Sequence, residues 1–171
     1  ISAYKKLNNI TISAVIAALY VILTYFSSIF GLAFFGIQFR ISEVLTILPI
    51  LTPAAIPGLT IGCFLANLSS PLGIIDIIFG TFSTLLCSIL TRMLRKIEFK
   101  KLPLLAMAPP VIIGAAFVAV FIMVIFPENI SSWSFLGIFI PTFISQAIIC
   151  YGFGIPLLIF LRKINKTNHI F

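Results

Sequence analysis

Five charge-free stretches, 7–39, 44–75, 77–91, 102–127 and 129–161, dominate the chain, and charged residues fall between them. A helix needs about 20 apolar residues to cross the hydrocarbon of a bilayer. Stretches 7–39, 102–127 and 129–161 each hold one such helix and a loop, and the segment 74–91 holds another that ends at Arg92. Stretch 44–75 fits either one long helix or a hairpin of two short ones. Pro49, Pro53 and Pro57 argue against a continuous helix, because each removes a backbone donor and clashes with the preceding turn.

The positions of the basic residues separate five crossings from six, since Lys and Arg collect on the cytoplasmic side. With five, the cluster Arg92, Arg95, Lys96, Lys100 and Lys101 falls opposite Lys5 and Lys6. With six, both groups share one side with Arg162, Lys163 and Lys166, so only Arg40 of the 11 basic residues violates the rule. The chain is therefore expected to be an all-α, polytopic membrane protein. It forms one integral domain over 1–171, a bundle of six transmembrane helices with both termini cytoplasmic. The predicted helices are 9–29, 41–52, 53–69, 74–95, 104–126 and 134–162. The second and third are short, which predicts a hairpin that is tilted, kinked or partly buried by its neighbours. The first apolar run is long and lacks a small-residue cleavage site, so it reads as a retained helix and not a cleaved signal.

Composition agrees. Of 171 residues, 61% are hydrophobic and 9% charged, against roughly 45–50% and 25% in soluble domains. A water-soluble domain, a disordered chain and a nucleic-acid-binding domain are excluded, and the net charge of +7 is a signal of topology. Cys63, Cys87 and Cys150 sit inside predicted helices and read as apolar packers, with no zinc-binding spacing.

The outer side carries the charges that need explaining: Arg40, Glu43, Asp76 and Glu128. Charges at a membrane boundary are costly and face a cavity or a partner. Arg40 and Glu43 are three residues apart, the spacing of a structural ion pair. The other interpretation is an outward-facing polar site that also includes Asp76. Glu128 lies in a Pro-Glu-Asn loop and is expected to be solvated. Asn67 near the outer end of the third helix, and Gln146 deep in the sixth, serve either interhelical hydrogen bonds or a ligand. Gln38 precedes Arg40 in the loop Phe30-Gly-Leu-Ala-Phe34-Phe35-Gly-Ile-Gln-Phe39, whose phenylalanines suggest an apolar lid. Trp133 stands at the opposite rim as interfacial anchor or cavity wall. Ala14 and Ala18 form a small-residue stripe on the first helix, and Gly58, Gly62 and Ala66 a ladder on the third. Gly152, Gly154 and Pro156 are expected to loosen the last helix.

No Walker-type phosphate loop is present, so the chain is not expected to use ATP itself. The lone His169 lies in the polar tail, which leaves no Ser/His/Asp or Cys/His set, and no enzyme is expected. A chain of this size without a nucleotide site reads as a binding subunit that another component energises.

Gln38-Phe-Arg-Ile-Ser-Glu43, Pro53-Ala-Ala-Ile-Pro-Gly-Leu59, Gly62-Cys-x-x-Ala-Asn67, Asp76-x-x-x-Gly80 and Leu90-Thr-Arg92 together resemble the QueT family of queuosine-precursor transporters. These are substrate-specificity (S) components of energy-coupling factor (ECF) importers. The resemblance covers nearly the whole chain and is most specific over 38–92. It implies six helices with cytoplasmic termini in the cell membrane, a 7-deazaguanine ligand (the 7-cyano or 7-aminomethyl precursor, or queuine), and no cofactor bound by this chain. It implies as partners a transmembrane coupling subunit, which docks on Ala14 and Ala18, and two cytoplasmic ATPases that use ATP. On that footing Glu43 is the first choice for the two-donor edge of the base, and Asp76 the second. Asn67 and Gln146 address the carbonyl and ring nitrogens, Arg40 orients Glu43 or caps the carbonyl, Gln38 joins the outer polar set, and Phe34, Phe35, Phe39 or Trp133 stack on the ring. Two alternatives stay open: an S component for another vitamin or nucleobase-like solute, and a non-transporting membrane subunit whose polar cluster is structural.

Overall fold

The computed structural model describes residues 2–31, 39–99, 102–125 and 132–168. These residues form six helices. Helix α1, Ser2–Ile29, contains neither Gly nor Pro, and at 28 residues it extends about 42 Å, ample for a bilayer of about 30 Å. Gly31 follows it with φ of 70°, a left-handed conformation that a residue with a side chain adopts only under strain. Helix α4 is Ile74–Leu94. Helix α5 runs over Leu104–Ile125, and α6 over 132–168, with Phe135–Asn165 as its apolar part. These four helices are long and apolar enough to cross a membrane.

Between α1 and α4 lie two short helices, where the prolines predicted a break. Helix α2, Ile41–Ile50, is ten residues of 3₁₀ helix with Pro49 inside, an unusually long run for that geometry. Helix α3, Ala55–Asn67, is 13 residues of α-helix. Pro53 precedes α3 and Pro57 occupies its first turn, where a missing N–H costs nothing. This trims the expected 53–69 at both ends.

Contacts along α1 show the path of the hairpin. Ile41 N donates to Ser27 Oγ at 3.0 Å, Thr24 Oγ1 to Ser42 Oγ at 2.8 Å, and Ser13 Oγ to Ala54 O at 2.7 Å. Ser69 then meets Tyr25 at 2.6 Å. The chain thus descends antiparallel to α1 and returns beside it. At its far end α2 is capped by Arg92 of α4, whose Nη1 donates to Pro49 O at 3.0 Å and Ile50 O at 3.4 Å.

Helix α2 is the axis of the bundle and touches each of the other five helices. One side, Leu45 and Leu48, packs with Ile16, Tyr20, Leu59 and Cys63. The other, Ile47 and Ile50, packs with Ala106, Met107 and Leu158. The glycine ladder of α3 is a close-approach surface to α1: a Cβ on Gly58 would lie 2.8 Å from Ser13 O, and one on Gly62 2.8 Å from Tyr20 Cβ. Large apolar side chains face outward elsewhere, including Leu136, Ile140, Ile144 and Ile148 at four-residue intervals on α6, as expected of a lipid-facing stripe.

Two long helices are less regular than expected. The predicted helix 104–126 begins as 3₁₀ turn Leu104–Met107, passes through the π-helical turn Pro110–Gly114 and becomes α-helical only at Ala115–Ile125. Adjacent Pro109 and Pro110 withhold two backbone donors, so the ladder must shift register. In α6 the loosening expected near Gly152, Gly154 and Pro156 takes the form of a second π-helical segment, Ile148–Phe153.

The α1–α3 contact gives a direct test. Gly62→Val is expected to lower the stability of the detergent-solubilised protein by about 1–3 kcal/mol, read as a fall in thermal midpoint. Gly137→Ala on α6, with nothing within 4 Å of the added carbon, is expected to leave the midpoint unchanged or raise it slightly.

Candidate functional site

The site starts from a buried arginine. Arg40 precedes α2 with extended backbone, φ −94° and ψ 110°, and is 4% exposed. Its Nη1 donates to Asn67 Oδ1 at 3.1 Å and its Nη2 approaches Asp76 Oδ2 at 3.4 Å. Asn67 Nδ2 donates in turn to the Asp76 backbone carbonyl at 3.1 Å and to Cys63 Sγ at 3.5 Å. Ser70 Oγ donates to Asp76 Oδ2 at 2.5 Å. Asp76 lies in the first turn of α4, where the exposed N–H groups of the helix favour an anion. Gly80 completes the arrangement, since a Cβ there would collide with Asn67 Nδ2. The network ties together the start of α2, the end of α3 and the start of α4.

Glu43 sits in the first turn of α2. Its Oε1 accepts from the Tyr20 hydroxyl at 2.9 Å, and Tyr20 is wholly buried. No donor among the described residues meets Oε2. Tyr20, Thr24 and Ser27, one face of α1, therefore bond in turn to Glu43, Ser42 and Ile41. This ladder sets the rotation of α2 and aims the Glu43 carboxylate inward.

Glu43 opens onto a cavity of about 40 Å³, several times the 10–15 Å³ that one water needs. Arg40, Asp76, Thr46, Ser83, Thr84, Cys87 and Gln146 are its polar and thiol lining, and Phe79, Phe117, Val118 and Phe121 its apolar walls. Gln146 is 6% exposed, and its Oε1 is buried without a hydrogen-bond partner. The cavity thus presents a carboxylate oxygen and an amide to whatever fills it, between aromatic rings. No group of three or more His, Cys, Asp or Glu side chains able to hold a metal occurs among the described residues.

Of the residues singled out from the sequence, the structure brings Arg40, Glu43, Asp76 and Gln146 to the cavity. Asn67 stands behind the wall, fully buried, with both ends of its amide engaged by protein. Phe39 is half-buried and outside the lining. Gln38, Phe34, Phe35 and Glu128 lie outside the described residues, as does the side chain of Trp133. Ala14 and Ala18 are exposed on α1. The sequence reasoning missed Tyr20, Thr46, Phe79, Ser83, Thr84, Phe117 and Phe121. A signal for part of this set was present: 76, 79, 80, 83, 84 and 87 fall on one face of α4.

Membrane-length helices closed around a buried cavity that mixes carboxylate, amide and aromatic groups are the architecture of a membrane protein that holds a small polar solute. The chain belongs to the QueT transporter family, whose model matches residues 10–163. A protein named Queuosine precursor transporter QueT, from Lactococcus lactis subsp. cremoris (strain MG1363), is 38% identical over 81 residues. That stretch is 47% of this chain and 47% of the relative, so the match spans about half of each. No solved structure matches the chain.

Charge burial separates the roles of the two carboxylates. Asp76→Asn leaves the Arg40 guanidinium in an apolar bundle without its counter-charge and is expected to cost about 3–5 kcal/mol. The paired change Arg40→Met with Asp76→Leu is expected to recover most of that loss. Thermal unfolding of the two variants in detergent checks both outcomes.

Proposed function

We propose that the protein is the substrate-specificity component of an ECF-type importer and binds a queuosine precursor, a 7-deazaguanine base, from the outer side of the cell membrane. The observation that carries this reading is Glu43, a carboxylate with one oxygen held by Tyr20 and the other met by no donor among the described residues, facing a cavity with aromatic walls. A guanine-like base carries its ring N1–H beside an exocyclic NH₂, and a carboxylate accepts such a pair with charge-assisted hydrogen bonds. Phe79, Phe117 and Phe121 offer faces for stacking. Arg40 and Asp76 balance each other at the rim, so the pocket keeps one carboxylate for the ligand. At about 40 Å³ the cavity is tight for a bicyclic base, and binding parts its walls.

In this reading the hairpin of α2 and α3 makes two crossings, which brings the total to six. It places both termini and the basic cluster 92–101 in the cytoplasm. The sequence has no nucleotide-binding loop, so the energy comes from two cytoplasmic ATPases through a membrane coupling subunit. The exposed stripe of Ala14 and Ala18 receives that subunit, because small side chains let a partner helix approach closely.

Titration of the purified protein is expected to show saturable binding of 7-aminomethyl-7-deazaguanine or its 7-cyano counterpart, and none of unrelated vitamins. Glu43→Gln is expected to weaken binding roughly 10- to 100-fold with little change in thermal midpoint. Full retention of affinity in Glu43→Gln would sink the site assignment. Ala14→Leu or Ala18→Leu is expected to abolish co-purification with the coupling subunit and to spare ligand binding. A complex that survives both substitutions would contradict the docking assignment.

A further inference from the structure

Gln146 is the one amide among the described residues that line the cavity, and its setting is unusual. It lies in the last α-helical turn of α6 before the π-helical segment Ile148–Phe153. Facing it is the π-helical turn Pro110–Gly114 of α5. A Cβ on Gly114 would lie 2.8 Å from Gln146 Oε1 and 3.3 Å from Nε2. The amide thus fills the space that a side chain at position 114 would take. Register shifts of this kind concentrate at functional sites. Gln146 lines the cavity with Glu43, yet its Oε1 is buried with no hydrogen-bond partner among the described residues. A buried amide oxygen without a partner is unfavourable, and this one faces the space where a ligand sits.

We propose that Gln146 reads the N3 and N9–H edge of the ligand, so that the site accepts free 7-deazaguanine bases and rejects their N9-substituted forms. This rests on the 7-deazaguanine reading of the cavity and extends it. An amide offers a donor and an acceptor side by side. With Glu43 on the N1–H and NH₂ edge, a free base retains two neutral acceptor–donor pairs, N3 with the second NH₂ hydrogen and N3 with N9–H, and only the second is lost when N9 is substituted. Gln146 matches it with Nε2 donating to N3 and Oε1 accepting from N9–H. The C6 carbonyl alone would use Nε2 and leave Oε1 unpartnered. The carbonyl together with a 7-aminomethyl cation would fill both ends. That arrangement puts an ammonium beside a neutral amide, with Glu43 committed elsewhere and Asp76 already held by Arg40 and Ser70. The neutral edge is the better match. A ribose on N9 would remove the donor and leave Gln146 Oε1 without its partner.

The test sets three ligands, 7-deazaguanine and its 9-methyl and 7-aminomethyl derivatives, against wild type and a Gln146 variant. Wild type is expected to bind 7-deazaguanine at least about tenfold more tightly than 9-methyl-7-deazaguanine, since the methyl group removes one hydrogen bond and leaves Oε1 buried without a partner. Gln146→Leu is expected to weaken the parent base and to close most of that gap. Gln146→Met takes its place if the leucine variant does not fold. Equal affinity of wild type for both ligands would overturn the proposal. So would a gap that persists unchanged in the Gln146 variants, which marks steric exclusion alone, or a loss in those variants that tracks the 7-aminomethyl group and not N9. Binding of bases without N9 discrimination rejects this inference only. Absence of any base binding to wild type rejects the 7-deazaguanine reading itself.

Discussion

A guanidinium enclosed in an apolar bundle must be neutralised where it lies, and much of this structure follows from how Arg40 is. A buried unpaired charge costs several kcal/mol. Asp76, Asn67 and Ser70 therefore converge at one end of the hairpin, from the start of α4, the end of α3 and the turn that joins them. The same cluster decides which carboxylate remains for other work. Asp76 is held by Arg40 and Ser70, whereas among the described residues Glu43 has only a tyrosine hydroxyl on one oxygen.

The second constraint is the backbone of α2. A 3₁₀ helix of ten residues does not hold its shape unaided, because its hydrogen bonds are poorly aligned. Here its surroundings hold it. The α1 ladder fixes it laterally, the Arg40 network holds its first end, and Arg92 caps the carbonyls of Pro49 and Ile50 at the other. The thinner 3₁₀ cylinder lets a short segment sit at the centre of the bundle with apolar residues on both sides. The consequence for the site is that Glu43 and Thr46 project into the cavity from a rigid element, which lowers the cost of ordering them around a ligand.

The positions of the helices were legible because charges and prolines are expensive inside a membrane. Ile74–Leu94 lies within one residue of the expected 74–95, and the break over 51–54, which holds Pro53, separates α2 from α3. Helix type was less legible. Nothing in the composition of 41–50 distinguishes a 3₁₀ helix from an α-helix, since that choice is made by neighbours, and the double proline at 109–110 forces a register shift that apolar periodicity does not reveal. At the site, the three-residue spacing that suggested Glu43 as the partner of Arg40 presumes helical backbone at Arg40, which is extended. Its ion pair with Asp76 spans 36 positions and only the fold creates it. Tyr20 was hidden for the same reason, since only the fold brings its hydroxyl to Glu43, 23 positions away.

The central claim is that Glu43 meets the ligand while Arg40 and Asp76 hold the hairpin in place. A ligand-bound structure tests it most directly, through density for 7-aminomethyl-7-deazaguanine or its 7-cyano counterpart. The account predicts a base between Phe79, Phe117 and Phe121, with a Glu43 carboxylate oxygen within hydrogen-bond distance, about 2.7–3.1 Å, of the ring N–H or exocyclic amine, and the Arg40–Asp76 pair intact. Density that places the base against Asp76 with that pair broken, or outside the cavity altogether, would contradict it.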